Sequence, residues 1–212
     1  MRKIVVAMDS MKGCLDSLSA SRAIALGIIG QEAEGKVICV PVADGGEGTA
    51  SALAFGKSKV TKLVSKVIGP LGKEIMAEWY MDEDSGTAFI DMASAAGLAL
   101  VKESDRNPLH ATTYGVGELI IEAVGKGANK IMLGLGGSAT VDGGLGALSA
   151  MGFIEPKALT PKHTTQKQTD AFIEKKEKGG IELELLCDVS APFTGEGGAA
   201  RVFGPQKGAS AE

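Results

Sequence analysis

Several short loops in this chain combine residue types that can hold an anion, a cation and a reacting proton. In Ala43-Asp44-Gly45-Gly46-Glu47-Gly48 the glycines allow two carboxylates, Asp44 and Glu47, to project from a tight backbone toward a hard cation such as Mg²⁺. The plainer account of Asp44 is an Asx turn. Asp9-Ser10-Met11-Lys12-Gly13 offers one carboxylate and one cation, and a lysine there could hold a substrate carboxylate or a transferring phosphoryl group. A capping aspartate and a solvated lysine account for the same residues without chemistry. Arg106-Asn107-Pro108 and Thr112-Thr113-Tyr114-Gly115 stand just ahead of a helical pattern, so a guanidinium and two hydroxyls could meet an acid's carboxylate and hydroxyl. Thr113 alone reads as an N-cap. Asp188 directly follows an apolar run, where ligand-facing acids sit in open sheets, and the nearby Ala191-Pro192 is expected to keep its side chain from swinging.

The glycine-rich loop Gly134 to Gly144 is the most versatile of these segments. Gly134-Leu135-Gly136-Gly137-Ser138-Ala139 satisfies the dinucleotide template GxGxxA, with Glu155 downstream for a ribose contact. That motif starts its helix at the second glycine, whereas Gly143 and Gly144 would each cost about 1 kcal/mol in a helix interior. The helix is therefore expected after Asp142. An anion cradle fits better, with backbone N–H groups, the Ser138 and Thr140 hydroxyls and a helix start converging on phosphate oxygens; a glycine-rich packing turn weighs about equally. No GxxxxGK[ST] sequence occurs, so any nucleotide is held by another device. His110 and His163 have no Cys, His or Asp at ligand spacing, which leaves zinc chemistry and a Ser-His-Asp arrangement without support.

The elements that position these loops follow from periodicity. Lys3 to Ala7 is a β-branched run typical of a strand buried on both faces. A helix follows, capped by Ser17 or Ser19, with Leu18, Ile24, Ala25 and Ile28 on one face. A second strand, Lys36 to Val42, leads into a short helix from Thr49 to Phe55. This β-α-β-α order predicts helices over a parallel sheet, with ligands beyond the strands' carboxyl ends. After Ser58 the pattern becomes a meander, with strands over Lys59 to Ile68, Glu74 to Tyr80 and Thr87 to Asp91. A helix over Thr113 to Val124, a strand over Lys130 to Leu133, a short helix ending at Met151 and a last strand over Ile181 to Cys187 complete the reading. Residues 156 to 180 are lysine-rich, with a solvated helix expected over Gln166 to Lys178. The switch from crossovers to hairpins places a domain boundary near residue 69, giving units 1–68 and 69–212.

Composition narrows the function. The 212 residues carry a net charge of −4, 4% aromatics and no basic stripe, which disfavours nucleic acid as a partner. Three cysteines without CxxC spacing suggest neither a disulfide framework nor a thiolate metal site and fit a reducing compartment. The apolar stretch Ile4 to Ala7 is too short for a membrane span or a signal peptide, so a cytoplasmic chain without membrane partners is expected.

Taken in order, Asp9 to Gly13, Pro41 to Thr49, Arg106 to Pro108 with Ala111 to Gly115, Gly136 to Gly144, and Cys187-Asp188 with Phe203-Gly204-Pro205-Gln206-Lys207-Gly208 resemble the bacterial glycerate kinase family. The resemblance runs over nearly the whole chain and implies ATP- and Mg²⁺-dependent phosphorylation of glycerate, in this branch at the 2-hydroxyl. It also implies an α/β fold in which a flavodoxin-like parallel-sheet domain receives a second, mixed α/β domain, with a cleft between them; a homodimer is left open. Asp188 is then the expected base, Lys12 and Arg106 face the carboxylate or the transferring group, and Asp44 and Glu47 lie near the metal. Asp9, Ser10, Gly45, Gly46, Thr113, Gly136, Gly137, Ser138, Thr140 and Lys207 are the expected substrate or nucleotide contacts. The region 155 to 180 is shorter than the family pattern, and the C-terminal part that returns to the first domain is absent from these 212 residues. The first unit is accordingly expected to lack sheet neighbours and to expose apolar surface.

Overall fold

The computed structural model describes residues 2–31, 35–154 and 180–210, together with Asp170 and Glu174. Glu155, His163 and the rest of the expected helix over Gln166–Lys178 lie outside the described residues.

The first unit is β1 (Arg2–Met8), α1 (Ser17–Gln31) and β2 (Gly35–Pro41), with the two strands parallel and in register from Arg2↔Gly35 to Met8↔Pro41. Asp16, not Ser17 or Ser19, caps α1: its carboxylate accepts the Ser19 N–H at 2.8 Å and the Ser19 hydroxyl. Ser17 is used elsewhere. Its hydroxyl donates to the Met8 carbonyl and accepts the Val42 N–H at 3.0 Å, tying the ends of both strands to the first turn of α1. The expectation that β1 is buried on both faces fails, because among the described residues the two strands are covered chiefly by α1: Val6 is buried while Val5 is 62% exposed. On α1, Leu26 and Ile29 are exposed as well.

The second sheet has the order β3-β4-β5-β6-β7, formed by Val60–Ile68, Glu74–Asp82, Thr87–Asp91, Lys130–Gly134 and Glu182–Leu186. Its first three strands are an antiparallel meander, and β5, β6 and β7 run parallel. β3 lies on the N-terminal side of the boundary expected near residue 69, yet it belongs to this sheet. The helix α2 (Thr49–Ala54) joins it there: Ala50 and Ala54 pack with Phe89, beside Leu53, Tyr80 and Met132. Period-2 alternation sends Ala77, Trp79, Ile90, Ile131 and Leu133 to the opposite face. That face is closed by α3 (Met92–Ala96), α4 (Tyr114–Gly125) and α5 (Leu145–Ala150), with Leu119 fully buried in the core. Trp79 is also fully buried, and its indole N–H donates to Ser65 Oγ at 2.8 Å.

β7, the apolar run that precedes Asp188, is an edge strand with Leu183 and Leu185 exposed, and Glu182 and Glu184 paired to Lys130. After it come α6 (Ala199–Phe203) and a 3-10 turn, Pro205–Lys207. The chain is thus a mixed α/β protein with one parallel and one mixed sheet. Among the described residues no helix is long and apolar enough to cross a membrane.

Candidate functional site

The loops after β2, β6 and β7 meet at the carboxyl ends of the parallel strands. Asp91, Gly134 and Leu186 form one row across β5, β6 and β7, and the 44–48 loop lies over it. The Gly136 N–H donates to the Gly45 carbonyl at 2.9 Å, and the Leu135 N–H to the Leu186 carbonyl at 3.1 Å. This seam is main chain against main chain. At Gly45 φ is +93°, and a Cβ there would stand 2.9 Å from the Leu186 carbonyl oxygen. At Gly136 a Cβ would come within 2.7 Å of Gly46 Cα, so both positions require glycine.

Asp91 anchors the same loop from below. Its two carboxylate oxygens accept the Gly48 N–H at 2.9 Å and the Ala50 N–H at 2.8 Å, at the start of α2. Burial raises its pKa to about 6, the two N–H bonds pull the other way, and the nearby Glu47 adds to the rise. Sequence reading passed over Asp91 because it closes an apolar strand. The signal that singled out Asp188, an acid at a strand's carboxyl end, was present there too.

Asp142 is the second residue missed, being read only as the point before a helix. Its Oδ2 accepts the Thr113 N–H at 2.9 Å, the Thr113 hydroxyl at 2.8 Å and the Gly146 N–H at 3.1 Å, and its Oδ1 accepts the Gly144 N–H at 3.2 Å. Thr113 makes no side-chain cap on its own helix. Its hydroxyl accepts the Ala147 N–H at 3.0 Å instead and so joins α4 to α5. With Gly143 and Gly144 left-handed and α5 beginning at Leu145, the helix follows Asp142 as expected, and the helix start that a dinucleotide loop needs at Gly136 is missing.

Lys207 reaches this loop from the C-terminal turn. Its ammonium donates to Ser138 Oγ at 2.9 Å and to the Thr140 carbonyl at 2.7 Å, with only 8% of the residue exposed. Burial holds it below the usual lysine range, opposed by the Asp142 carboxylate. Arg106 supports that turn, its Nη1 donating to the Gln206 carbonyl at 3.3 Å.

The structure therefore brings together Gly45, Gly46, Gly136, Gly137, Ser138, Thr140, Lys207 and Thr113, with Arg106 at the margin. Exposed Lys12 lies 3.6 Å from the half-buried Asp44, a pair of small energetic weight, and Asp44 Oδ1 accepts the Gly46 N–H at 2.9 Å, which is the Asx turn. Glu47 is exposed beside Gly137. Among the described residues Asp9 accepts only the Ser10 N–H, and neither residue bonds to another candidate. Asp188 is exposed and has no hydrogen-bond partner among the described residues, contrary to the expectation that it is held, because the edge strand before it leaves it at the surface. Among the described residues no three His, Cys, Asp or Glu side chains converge as a metal cluster.

Parallel strands, crossover helices and glycine loops meeting at the strand ends define an open-sheet α/β protein, the class that takes up ligands beyond those ends. The chain belongs to the glycerate kinase family, whose model matches residues 4–212. It is 40% identical to a glycerate kinase of Halalkalibacterium halodurans over 99% of this chain and 57% of that protein. It is 39% identical to the glycerate 2-kinase of Escherichia coli K12 over 98% of this chain and 56% of that protein. A crystal structure from Salmonella typhimurium LT2, provisionally described as glycerate kinase 2, superposes with a TM-score of 0.76 at 37% identity, covering 99% of this chain and 58% of that one. The chain thus spans a little over half the length of these relatives.

Proposed function

We propose that this chain takes part in phosphorylating glycerate with ATP and Mg²⁺, yielding 2-phosphoglycerate, in the cytoplasm. The observation that carries the reading is the unbroken run of contacts at the strand ends, from Lys12 and Asp44 through Gly46 and Gly136 to Ser138, Thr140 and Lys207. Two named glycerate kinases among the relatives supply the substrate.

In this reading the loop Gly136–Thr140 receives the phosphates and Lys12 and Arg106 hold the carboxylate or the transferring group. Asp9, Ser10, Gly45, Gly46 and Thr113 line the approach. The glycerate hydroxyl oxygen bonds to the γ-phosphorus as the bond to the departing ADP oxygen breaks, and the hydroxyl proton passes to Asp188, whose carboxylate is exposed and has no hydrogen-bond partner among the described residues. Asp44 and Glu47 would hold the Mg²⁺. Two carboxylates fit that ion, which draws its remaining ligands from substrate phosphates and water, and Glu47 has no competing partner among the described residues. The ion would neutralise charge on the phosphate oxygens. Three free cysteines accord with a reducing compartment.

The test is an ADP-release assay on the purified chain with ATP and Mg²⁺, with and without D-glycerate, the product being assigned by phosphorus and carbon NMR. Glycerate-dependent release with 2-phosphoglycerate as product is the expected result; a folded sample that releases no ADP with glycerate overturns the reading. The exposed Val5, Leu26 and Ile29 of the first unit favour a second reading, binding without turnover, in which calorimetry detects nucleotide but no ADP forms.

A further inference from the structure

Lys207 is a buried cation with no opposite charge bonded to it among the described residues. Its two acceptors are neutral, the Ser138 hydroxyl and the Thr140 carbonyl, and its third N–H has no acceptor among the described residues. The acid that acts on it, Asp142, is already committed, its two oxygens accepting four N–H or O–H groups from Thr113, Gly144 and Gly146. The local arrangement therefore keeps a net positive charge away from water, a position that costs stability unless an anion completes it. The charge is also held in place. Pro205–Lys207 is a 3-10 turn, Arg106 Nη1 binds the Gln206 carbonyl, and Gly208 is left-handed at φ +92° with no room for a Cβ beside the Arg106 carbonyl. On the loop that faces it, the N–H groups of Gly137 and Thr140 donate to no acceptor among the described residues.

We propose that Lys207 is the positive charge of an anion site on the 134–144 loop, and that it receives a phosphoryl oxygen of a diphosphate or triphosphate group. This rests on the phosphate role given to that loop above, but not on glycerate being the acceptor. It also divides the work among the cations: Lys207 serves the phosphates, so the carboxylate of an acid substrate must be met by others.

The test is calorimetry on the whole chain with inorganic pyrophosphate, ADP and D-glycerate as separate probes, for the parent, Lys207→Met, Lys207→Arg and the exposed control Lys73→Met. Circular dichroism melts verify folding of each. The expected result is pyrophosphate and ADP binding to the parent and to K73M, weakened at least tenfold in K207M, partly restored in K207R, and with glycerate binding unchanged. Equal pyrophosphate affinity in K207M and the parent overturns the proposal. So does a parent that binds no pyrophosphate, or a K207M variant that loses glycerate alone, which would assign the lysine to the carboxylate. If K207M fails to fold, the comparison rests on K207R, whose bulkier guanidinium is expected to weaken pyrophosphate binding severalfold; unaltered affinity there overturns the proposal too. An intact K207M effect in a chain that shows no turnover would leave this inference standing and remove the glycerate reading.

Discussion

Gly136→Ala is expected to lower stability by about 3 kcal/mol, because the new methyl would stand 2.7 Å from Gly46 Cα and 3.1 Å from the Gly46 nitrogen. Main-chain atoms cannot rotate aside as a side chain can, so one of the two loops must move. The Gly45 carbonyl then loses the Gly136 N–H that it accepts at 2.9 Å. For a chain of this size the thermal midpoint should fall by roughly 6–12 °C. Gly27→Ala is the matched control, since its Cβ meets nothing within 4 Å on α1, and alanine there should not lower the midpoint. A G136A variant that melts with the parent would show that the two loops are not in contact.

The second large effect concerns Asp91 and depends on pH. Burial lifts its pKa from 3.8 to about 6. Between those values the folded chain keeps a proton that the unfolded chain has released. Stability from this group is therefore complete below about pH 4, falls as pH rises toward 6, and levels off above. At about 1.4 kcal/mol per pKa unit, the fall is about 3 kcal/mol. Asp91→Asn removes the titration while leaving one oxygen to accept from Gly48 or Ala50. Urea unfolding at a series of pH values should show the difference between D91N and the parent moving by about 2 kcal/mol in the variant's favour from pH 4 to pH 6.5, the part of the whole fall that lies inside this window. A difference that stays constant with pH would mean that Asp91 titrates as an ordinary surface acid.

Most of the architecture was legible in the sequence, because alternation and glycine punctuation are strong in this chain. The strands over Val60–Ile68, Thr87–Asp91 and Lys130–Gly134 agree with the sequence reading to within one residue, and α4 starts one residue after Thr113. What periodicity could not show is which sheet an element joins. The apolar side of α2 reads the same whether it covers β1 or Phe89, and only the three-dimensional placement of Asp91 beneath its first turn decides. The five-residue helices Met92–Ala96 and Ala199–Phe203 were missed for a different reason, as each is too short to complete a periodic pattern and is bordered by glycine.

Among the site residues, the glycine loops were visible because glycine at such density is costly and stands out. Asp91, Asp142 and, outside the site, Glu118 were not, since each has a defining partner far away in sequence: the Gly48 and Ala50 N–H groups for Asp91, Thr113 for Asp142 and the Ile68 N–H for Glu118. Glu118 shows this most clearly. It is a carboxylate inside an apolar helix, and its Oε2 accepts the Ile68 N–H at 2.7 Å, a bond that only the packing of α4 against β3 creates. A charge within an apolar run was the available signal.

The partition of the large sheet also bears on the order in which the molecule assembles. β3, β4 and β5 are joined by short turns and can pair soon after collapse, whereas β6 and β7 return through helical crossovers and the 44–48 loop arrives from another sheet altogether. Pulse-labelled hydrogen exchange during refolding should protect the Tyr80 amide, in the centre of the meander, before those of Leu135 and Gly136; simultaneous protection would contradict this sequence of events. The hairpins then serve as the template, and the strand-end seam is the last part of the chain to close and the first to open, so a partly unfolded molecule would retain its sheet and lose its capacity to bind.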